Sequence, residues 1–332
     1  MTRSVYIAYT GGTIGMTLSA SGYRPEPGFL AEQIGRLEHP ELPKLTLHEY
    51  DPLLDSSEMT PKDWVRIARD IADNHDTYDG FVILHGTDTM AYTASMLSFM
   101  LENLAKPVIL TGSQIPLAKL RSDGRENFIT SLLLAANTSL SEVCLYFGGK
   151  LLRGNRARKV SSSGFPAFDS PNAPPLGTVG VEITLNEKLL LPPPTRPLAL
   201  QPLKPVNVGA LRLFPGISAN ILRNVLREPL QGLVLETYGS GNAPQKQDFL
   251  EVLREATARG VVIVNCTQCW HGSVAMETYA TGRRLAEAGV VSGFDMTPEA
   301  ALTKLTYLLS TEASVAAVRE KLQQDLRGEL TR

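Results

Sequence analysis

Short, fully apolar runs alternate along this chain with segments of helical period. Residues 5–8, Gly80–Leu84, 107–110 and Val143–Phe147 are too short for helices and too apolar for surface loops. Between them, residues 63–73 read as a helix opened by Thr60-Pro61, with proline at the first helical position. Met90, Ala94, Leu97, Leu101 and Leu104 make one apolar stripe at helical spacing, and residues 127–136 carry the next helix. Buried strands alternating with helices build βαβ units and a mostly parallel sheet, so the fold class is α/β.

Residues 189–205 break the pattern. They hold Pro192, Pro193, Pro194, Pro197, Pro202 and Pro205 and no apolar period. A stretch of that kind reads as a stiff linker. The expected organisation is a larger N-terminal domain over 1–190, a proline-rich linker over 191–205, and a smaller C-terminal α/β domain over 206–332. In the latter, strands are expected at 209–214, 232–236 and 261–265, and helices at 219–226, 247–258, 298–309 and 315–326. A chain of 332 residues has room for two such domains.

Composition removes several function classes. With 32 basic and 34 acidic side chains the net charge is −2, which gives no field for nucleic acid or an anionic membrane. Hydrophobic residues at 43% and charged ones at 20% are those of a folded globular protein, not a disordered one. No apolar run reaches the roughly 18 residues that a membrane span needs. The N-terminal stretch meets Thr10-Gly11-Gly12 where a signal peptide would continue its apolar region. Three cysteines, Cys144, Cys266 and Cys269, are too few for a disulfide scaffold. The expectation is a cytoplasmic protein.

In open α/β sheets ligands sit beyond the carboxyl ends of strands, so chemistry is expected at the strand exits. The first, Tyr9-Thr10-Gly11-Gly12-Thr13-Ile14-Gly15-Met16, sets two threonines around two glycines. It serves either as a capped turn or as a ligand-contacting loop. The second, His85-Gly86-Thr87-Asp88-Thr89, offers a helix N-cap or a hydroxyl and a carboxylate beside a glycine. The third is Thr111-Gly112-Ser113-Gln114. The fourth is the basic run from Arg153 to Lys159, either a solvated face or the source of a lysine base. Cys266, Cys269 and His271 fall short of the four ligands of a structural zinc site, so no metal is expected. No His-x-x-x-His spacing and no Gly-x-Ser-x-Gly elbow occurs. A hydrolase built from what remains would use a hydroxyl nucleophile with lysine or tyrosine as base, drawn from Thr13, Thr87, Lys159 and Tyr23.

At these residues the chain resembles the bacterial-type L-asparaginases, in particular the cytoplasmic type I form. The stretch over 9–16 is similar to that family's first signature and Leu84-His85-Gly86-Thr87-Asp88-Thr89-Met90 to its second. Asp55-Ser56-Ser57-Glu58-Met59, the segment from Arg153 through Asn172, and Tyr238-Gly239-Ser240-Gly241-Asn242-Ala243-Pro244 extend the likeness nearly end to end. The resemblance implies a catalytic set of Thr13, Tyr23, Thr87, Asp88 and Lys159, with Thr13 as the acylated nucleophile. It implies substrate contacts from Ser57, Glu58, Gly86, Ser113 and Asn242. Asp88 and Glu58 would take the α-ammonium of L-asparagine, and Ser57 its α-carboxylate. L-Aspartate and ammonia would be the products, with no cofactor and a homodimer or homotetramer as the working form. An ammonia-releasing subunit of a tRNA-dependent amidotransferase, or an amino-acid sensor that kept the pocket, would be built on the same residues. Residues 16–29, with Gly15, Gly22 and Gly28 at or within the edges, read as a loop able to close Tyr23 over Thr13 as a lid.

Overall fold

The computed structural model describes residues 3–20, 22–137, 139–277 and 280–332. Met1 and Thr2 of the N-terminal stretch, and Ser21 of the segment read as a loop, fall outside them. The chain divides into one unit of residues 1–170 and 174–201 and another of 171–173 and 202–332.

In the first unit the strands are β1 (Ser4–Gly11), β2 (Met16–Ser19), β3 (Gly22–Pro25), β4 (Lys44–Leu54), β5 (Gly80–Leu84), β6 (Leu101–Glu102) and β7 (Val108–Thr111). They continue with β8 (Val143–Phe147), β9 (Lys150–Arg153), β10 (Arg158–Lys159), β11 (Phe168–Asp169), β12 (Gly177–Val179), β13 (Ile183–Leu185) and β14 (Ala199–Leu200). Helices α1 (Phe29–Gly35), α2 (Pro61–Asn74), α3 (Met90–Met100) and α4 (Gly124–Asn137) join them. The main sheet runs β13-β12-β9-β8-β7-β5-β1-β4. Strands β4, β1, β5, β7 and β8 pair in parallel, and β9, β12 and β13 extend the sheet antiparallel. Both faces of the parallel part are covered, which is why β5 and β8 are buried at every position and read as continuous apolar runs. One core cluster gathers Val5, Ile7, Tyr9, Val82, Leu84 and Ile109 from the strands with Phe128 and Leu132 from α4.

Helix α2 starts where the sequence places it. The Thr60 backbone N–H and hydroxyl both donate to Asp63, closing a capping box ahead of Pro61. The stripe from Met90 to Leu104 is only partly helical: α3 ends at Met100, and Leu101–Glu102 pairs antiparallel with Ala199–Leu200. Leu101 and Leu104 stay buried, so burial continues while the period changes. Residues 16–29 are not all loop: β2 (Met16–Ser19) pairs antiparallel with β3 (Gly22–Pro25) in a register that aligns Met16 with Pro25 and Leu18 with Tyr23, and α1 begins at Phe29. Local pairing satisfies backbone groups that a loop would leave to water.

The second unit carries β15 (Val208–Arg212), β16 (Gly232–Thr237), β17 (Val262–Thr267) and β18 (Val291–Ser292), a parallel sheet in that order. Its helices are α5 (Ala219–Val225), α6 (Gln247–Ala258), α7 (Ala280–Glu287), α8 (Pro298–Thr311) and α9 (Val315–Leu322). The last is shorter than the expected 315–326 because the chain turns at Gln323. A fully buried Lys304–Glu329 ion pair of 2.5 Å ties the carboxyl-terminal segment to α8, and Lys304 also donates to the Leu322 carbonyl. Residues 171–173 join this unit through Asn172, which bonds the Gly272 and Asp295 carbonyls at 3.0 Å each.

Candidate active site

The strand exits divide into hydroxyls that hold backbone and hydroxyls left for chemistry. Thr10 donates to the Leu84 carbonyl (3.0 Å) and Thr111 to the Tyr146 carbonyl (2.9 Å), each locking the end of a neighbouring strand. Thr13 lies one turn further, in the 3-10 segment Thr13–Gly15. Gly12, at φ +90°, touches the backbone of Gly86: a Cβ on it would fall 2.5 Å from the Gly86 Cα. Only glycine permits both that φ and that approach, and the first two exits are thereby packed against each other. A Cβ on Gly86 would in turn fall 2.4 Å from the Ser56 hydroxyl, and the Ser56 carbonyl accepts from Thr89 at 2.7 Å.

Lys159 crosses 72 residues of sequence to reach Thr87. Its ammonium donates to Thr87 Oγ1 at 2.9 Å and to Asp88 Oδ1 at 2.7 Å. Strand β10 holds it there through the pairing of Lys159 with Phe168. Thr87 is buried, while the Asp88 side chain is 64% exposed and so open to a ligand. The rest of the basic run is structural at Arg153, which grips the buried Glu142 carboxylate at 2.6 Å, and Arg156 is itself buried. Ser113 is buried with its hydroxyl unpaired by any described protein group, a free donor at a strand exit. Asn127 braces that exit from α4 by bonding the Gly112 carbonyl (3.0 Å).

Ser57 and Glu58 occupy an exposed 3-10 turn capped by Asp55, which accepts both the Ser57 backbone N–H and its hydroxyl at 2.9 Å. Tyr23 stands on β3, 40% exposed, with the Lys119 ammonium 4.8 Å from its ring centroid. No hydrogen bond joins its hydroxyl to Thr13 among the described residues, while Thr87, Asp88 and Lys159 are drawn together by the bonds of the Lys159 ammonium. Asn242 lies in the second unit, in a turn where its backbone exchanges hydrogen bonds with Tyr238 and its side chain accepts from Thr281. Cys266 is buried and Cys269 exposed, and neither forms a disulfide. Among the described residues no group of three His, Cys, Asp or Glu is placed to hold a metal. Nor is any described helix long and apolar enough to cross a membrane.

The sequence alone assigns His85 no role. It is buried beneath the second exit, with Nδ1 facing the Gly86 carbonyl (2.6 Å) and Nε2 facing the Thr93 hydroxyl (2.9 Å). Thr93 in turn accepts from the Trp64 indole at 3.1 Å. A neutral imidazole satisfies this relay, with Nδ1–H donating and Nε2 accepting. Burial pushes the His85 pKa down from 6.5 to about 4. Below pH 6.5 the unfolded chain therefore binds the extra proton, so this stability is complete above pH 6.5 and is lost as pH falls towards 4. The loss amounts to roughly 3 kcal/mol. Urea midpoints at pH 7 and pH 4.5 should fall less in His85→Gln than in the wild type. Equal falls in the two proteins would remove His85 from this account.

A buried hydroxyl, a lysine and an exposed carboxylate at the carboxyl ends of a parallel sheet, beside a second threonine on a glycine turn, make a site suited to acyl transfer without histidine. The chain belongs to the asparaginase family: residues 4–191 match the model "Asparaginase, N-terminal" and residues 207–322 the model "Glutaminase/Asparaginase C-terminal domain". It is 55% identical to L-asparaginase 1 of Escherichia coli (strain K12), over 99% of this chain and 98% of that one. The crystal structure of L-asparaginase I from Vibrio cholerae O1 biovar eltor superposes with a TM-score of 0.93 at 52% identity, covering 100% of both chains. The thermostable L-asparaginase from Thermococcus kodakarensis superposes with a TM-score of 0.90 at 36% identity, covering 99% of both chains.

Proposed function

We propose that this protein is an L-asparagine amidohydrolase that releases L-aspartate and ammonia through a covalent acyl-threonine at Thr13. The observation that carries this reading is the convergence of Lys159 on Thr87 and Asp88, at 2.9 and 2.7 Å. The likeness to L-asparaginase 1 supplies the substrate. The Thr13 hydroxyl attacks the side-chain amide carbon, the C–N bond breaks, and ammonia leaves with the hydroxyl proton. Water then attacks the β-aspartyl ester, returning Thr13 and freeing aspartate, so the reaction balances without a cofactor. Threonine is a weak nucleophile until a base engages it, which is the work assigned to Thr87–Lys159 and Tyr23.

Substrate recognition follows from charge. Glu58 faces solvent, and Asp88, held by Lys159 through Oδ1 alone, keeps its exposed side for the α-ammonium. Ser57 turns from Asp55 to the α-carboxylate, and charge-assisted bonds of this kind are the stronger ones. Gly86 and the unpaired Ser113 hydroxyl line the amide end. Ammonia release measured in parallel on L-asparagine and L-glutamine tests the proposal. Asparagine is expected to be hydrolysed faster; ammonia from glutamine alone, or from neither amide, would contradict it.

The working form in this reading is a cytoplasmic homodimer or homotetramer in which Asn242 completes the pocket of a neighbouring subunit. Mixed oligomers of inactive Thr13→Ala and inactive Asn242→Ala chains should regain activity, because one of the mixed sites is intact. Mixed oligomers that form and stay silent would sink the shared site.

A further inference from the structure

The 3-10 turn that carries Thr13 rests on an unusual floor. A Cβ built on Gly15 would fall 1.9 Å from the Tyr9 phenolic oxygen, so the phenol presses directly on the turn's last residue. Gly15 is also one foot of the hairpin, since its carbonyl accepts the Glu26 N–H at 3.2 Å. The other end of the segment is Gly28, whose N–H donates to Glu49 Oε1 at 2.9 Å. Tyr9 on β1 and Glu49 on β4 are aligned partners in the parallel pairing of those strands. Both ends of the segment that bears Tyr23 are therefore set on one cross-strand pair.

That pair keeps polar atoms where apolar ones would fit. Tyr9 is fully buried, and its hydroxyl and Glu49 Oε2 are both unpaired by any described protein group. Burial and the facing Glu49 carboxylate hold the Tyr9 phenol protonated. A buried unpaired hydroxyl is destabilising relative to phenylalanine, so the phenol's presence calls for a role other than filling the core.

We infer that Tyr9 and Glu49 are positioning residues that set the Thr13 turn and the Tyr23 hairpin as one unit. The inference rests on the catalytic roles proposed for Thr13 and Tyr23. Neither Tyr9 nor Glu49 touches substrate. The phenolic oxygen fixes the height of the turn under Gly15, and the carboxylate anchors Gly28. Removing the oxygen leaves the ring in place and lets the turn settle inwards. Glu49→Gln keeps an acceptor for Gly28, whereas Glu49→Ala does not.

The test reads turnover and hinge mobility separately. Tyr9→Phe should lower kcat about tenfold with KM within about twofold, since small misplacements of a reacting group act on the chemical step. Glu49→Ala should show the same split, and Glu49→Gln should restore kcat to within about twofold of wild type. Leu18 and Tyr23 are 72% and 40% exposed on the hairpin, so chymotrypsin can probe it without substrate. Cleavage after either residue should run several-fold faster in Glu49→Ala than in Glu49→Gln. Wild-type kcat in Tyr9→Phe overturns the inference, as does a loss in Glu49→Ala that Glu49→Gln does not rescue. If Glu49→Ala does not fold, Tyr9→Phe decides alone. A wild-type protein inactive on asparagine would sink the proposed function only; the cleavage rates would still test the anchor.

Discussion

Thr13→Ala should fold, bind L-aspartate, and hydrolyse L-asparagine slower by roughly a thousandfold or more, the scale seen when a covalent nucleophile is removed. The residue lies on a short turn, partly exposed, and no described group depends on its hydroxyl, so the fold loses little. Thermal unfolding and aspartate titration check that the variant is intact. Ammonia release then reports the chemistry alone. Thr10→Ala is the informative contrast. Its hydroxyl is buried on the Leu84 carbonyl, so it should cost stability before it costs turnover. Substantial residual turnover in Thr13→Ala would show that another group is acylated.

The second large effect is expected at Lys159. Lys159→Met should lower turnover by roughly a hundredfold or more, the usual weight of a positioned acid or base. Affinity for aspartate should move far less. The partner Asp88 is mostly in water, so losing the ion pair does little to the fold. Lys159→Arg should fail as well. A guanidinium stays protonated and presents a planar fork where Thr87 and Asp88 are served by one compact ammonium. An active arginine variant would reduce Lys159 to a fixed positive charge.

The parts of the fold that can be read from the chain are those where burial imposes a period. Strands β5 and β8 are covered on both faces and read as unbroken apolar runs. Helix α2 announces itself through Thr60, Pro61 and Asp63. Strand β4 is harder to see because it is an edge strand, largely half-buried, with Leu45 and Leu47 set among Thr46, His48 and Glu49. Its alternation over residues 44–49 is the available signal. The β2–β3 hairpin is hidden for a related reason. Its side chains are mostly outside the core, so glycine and proline dominate the local reading.

The candidate site is legible by resemblance more than by pattern. Thr10 and Thr13 are the same residue type three positions apart, yet one holds a strand end and the other stands on the turn. The basic run likewise splits, Arg153 onto Glu142 and Lys159 onto Thr87 and Asp88. Those partners are fixed by the tertiary fold, which brings β10, paired with β11 outside the main sheet, to the exit of β5. Local sequence carries no record of a pairing 72 residues away. The role of His85 is hidden in the same way, since Thr93 reaches it from α3 and is itself held by the Trp64 indole of α2.

The most direct test of the central claim is the partitioning of the acyl group between water and hydroxylamine. The enzyme is supplied with L-asparagine in one series and L-aspartate β-methyl ester in another, at the same hydroxylamine concentration, and β-aspartyl hydroxamate is measured against aspartate. A common β-aspartyl ester on Thr13 predicts the same hydroxamate-to-aspartate ratio from both substrates, because the leaving group has gone before the nucleophiles compete. Ratios that differ with the leaving group, or hydrolysis with no hydroxamate at all, would contradict a covalent acyl-threonine enzyme.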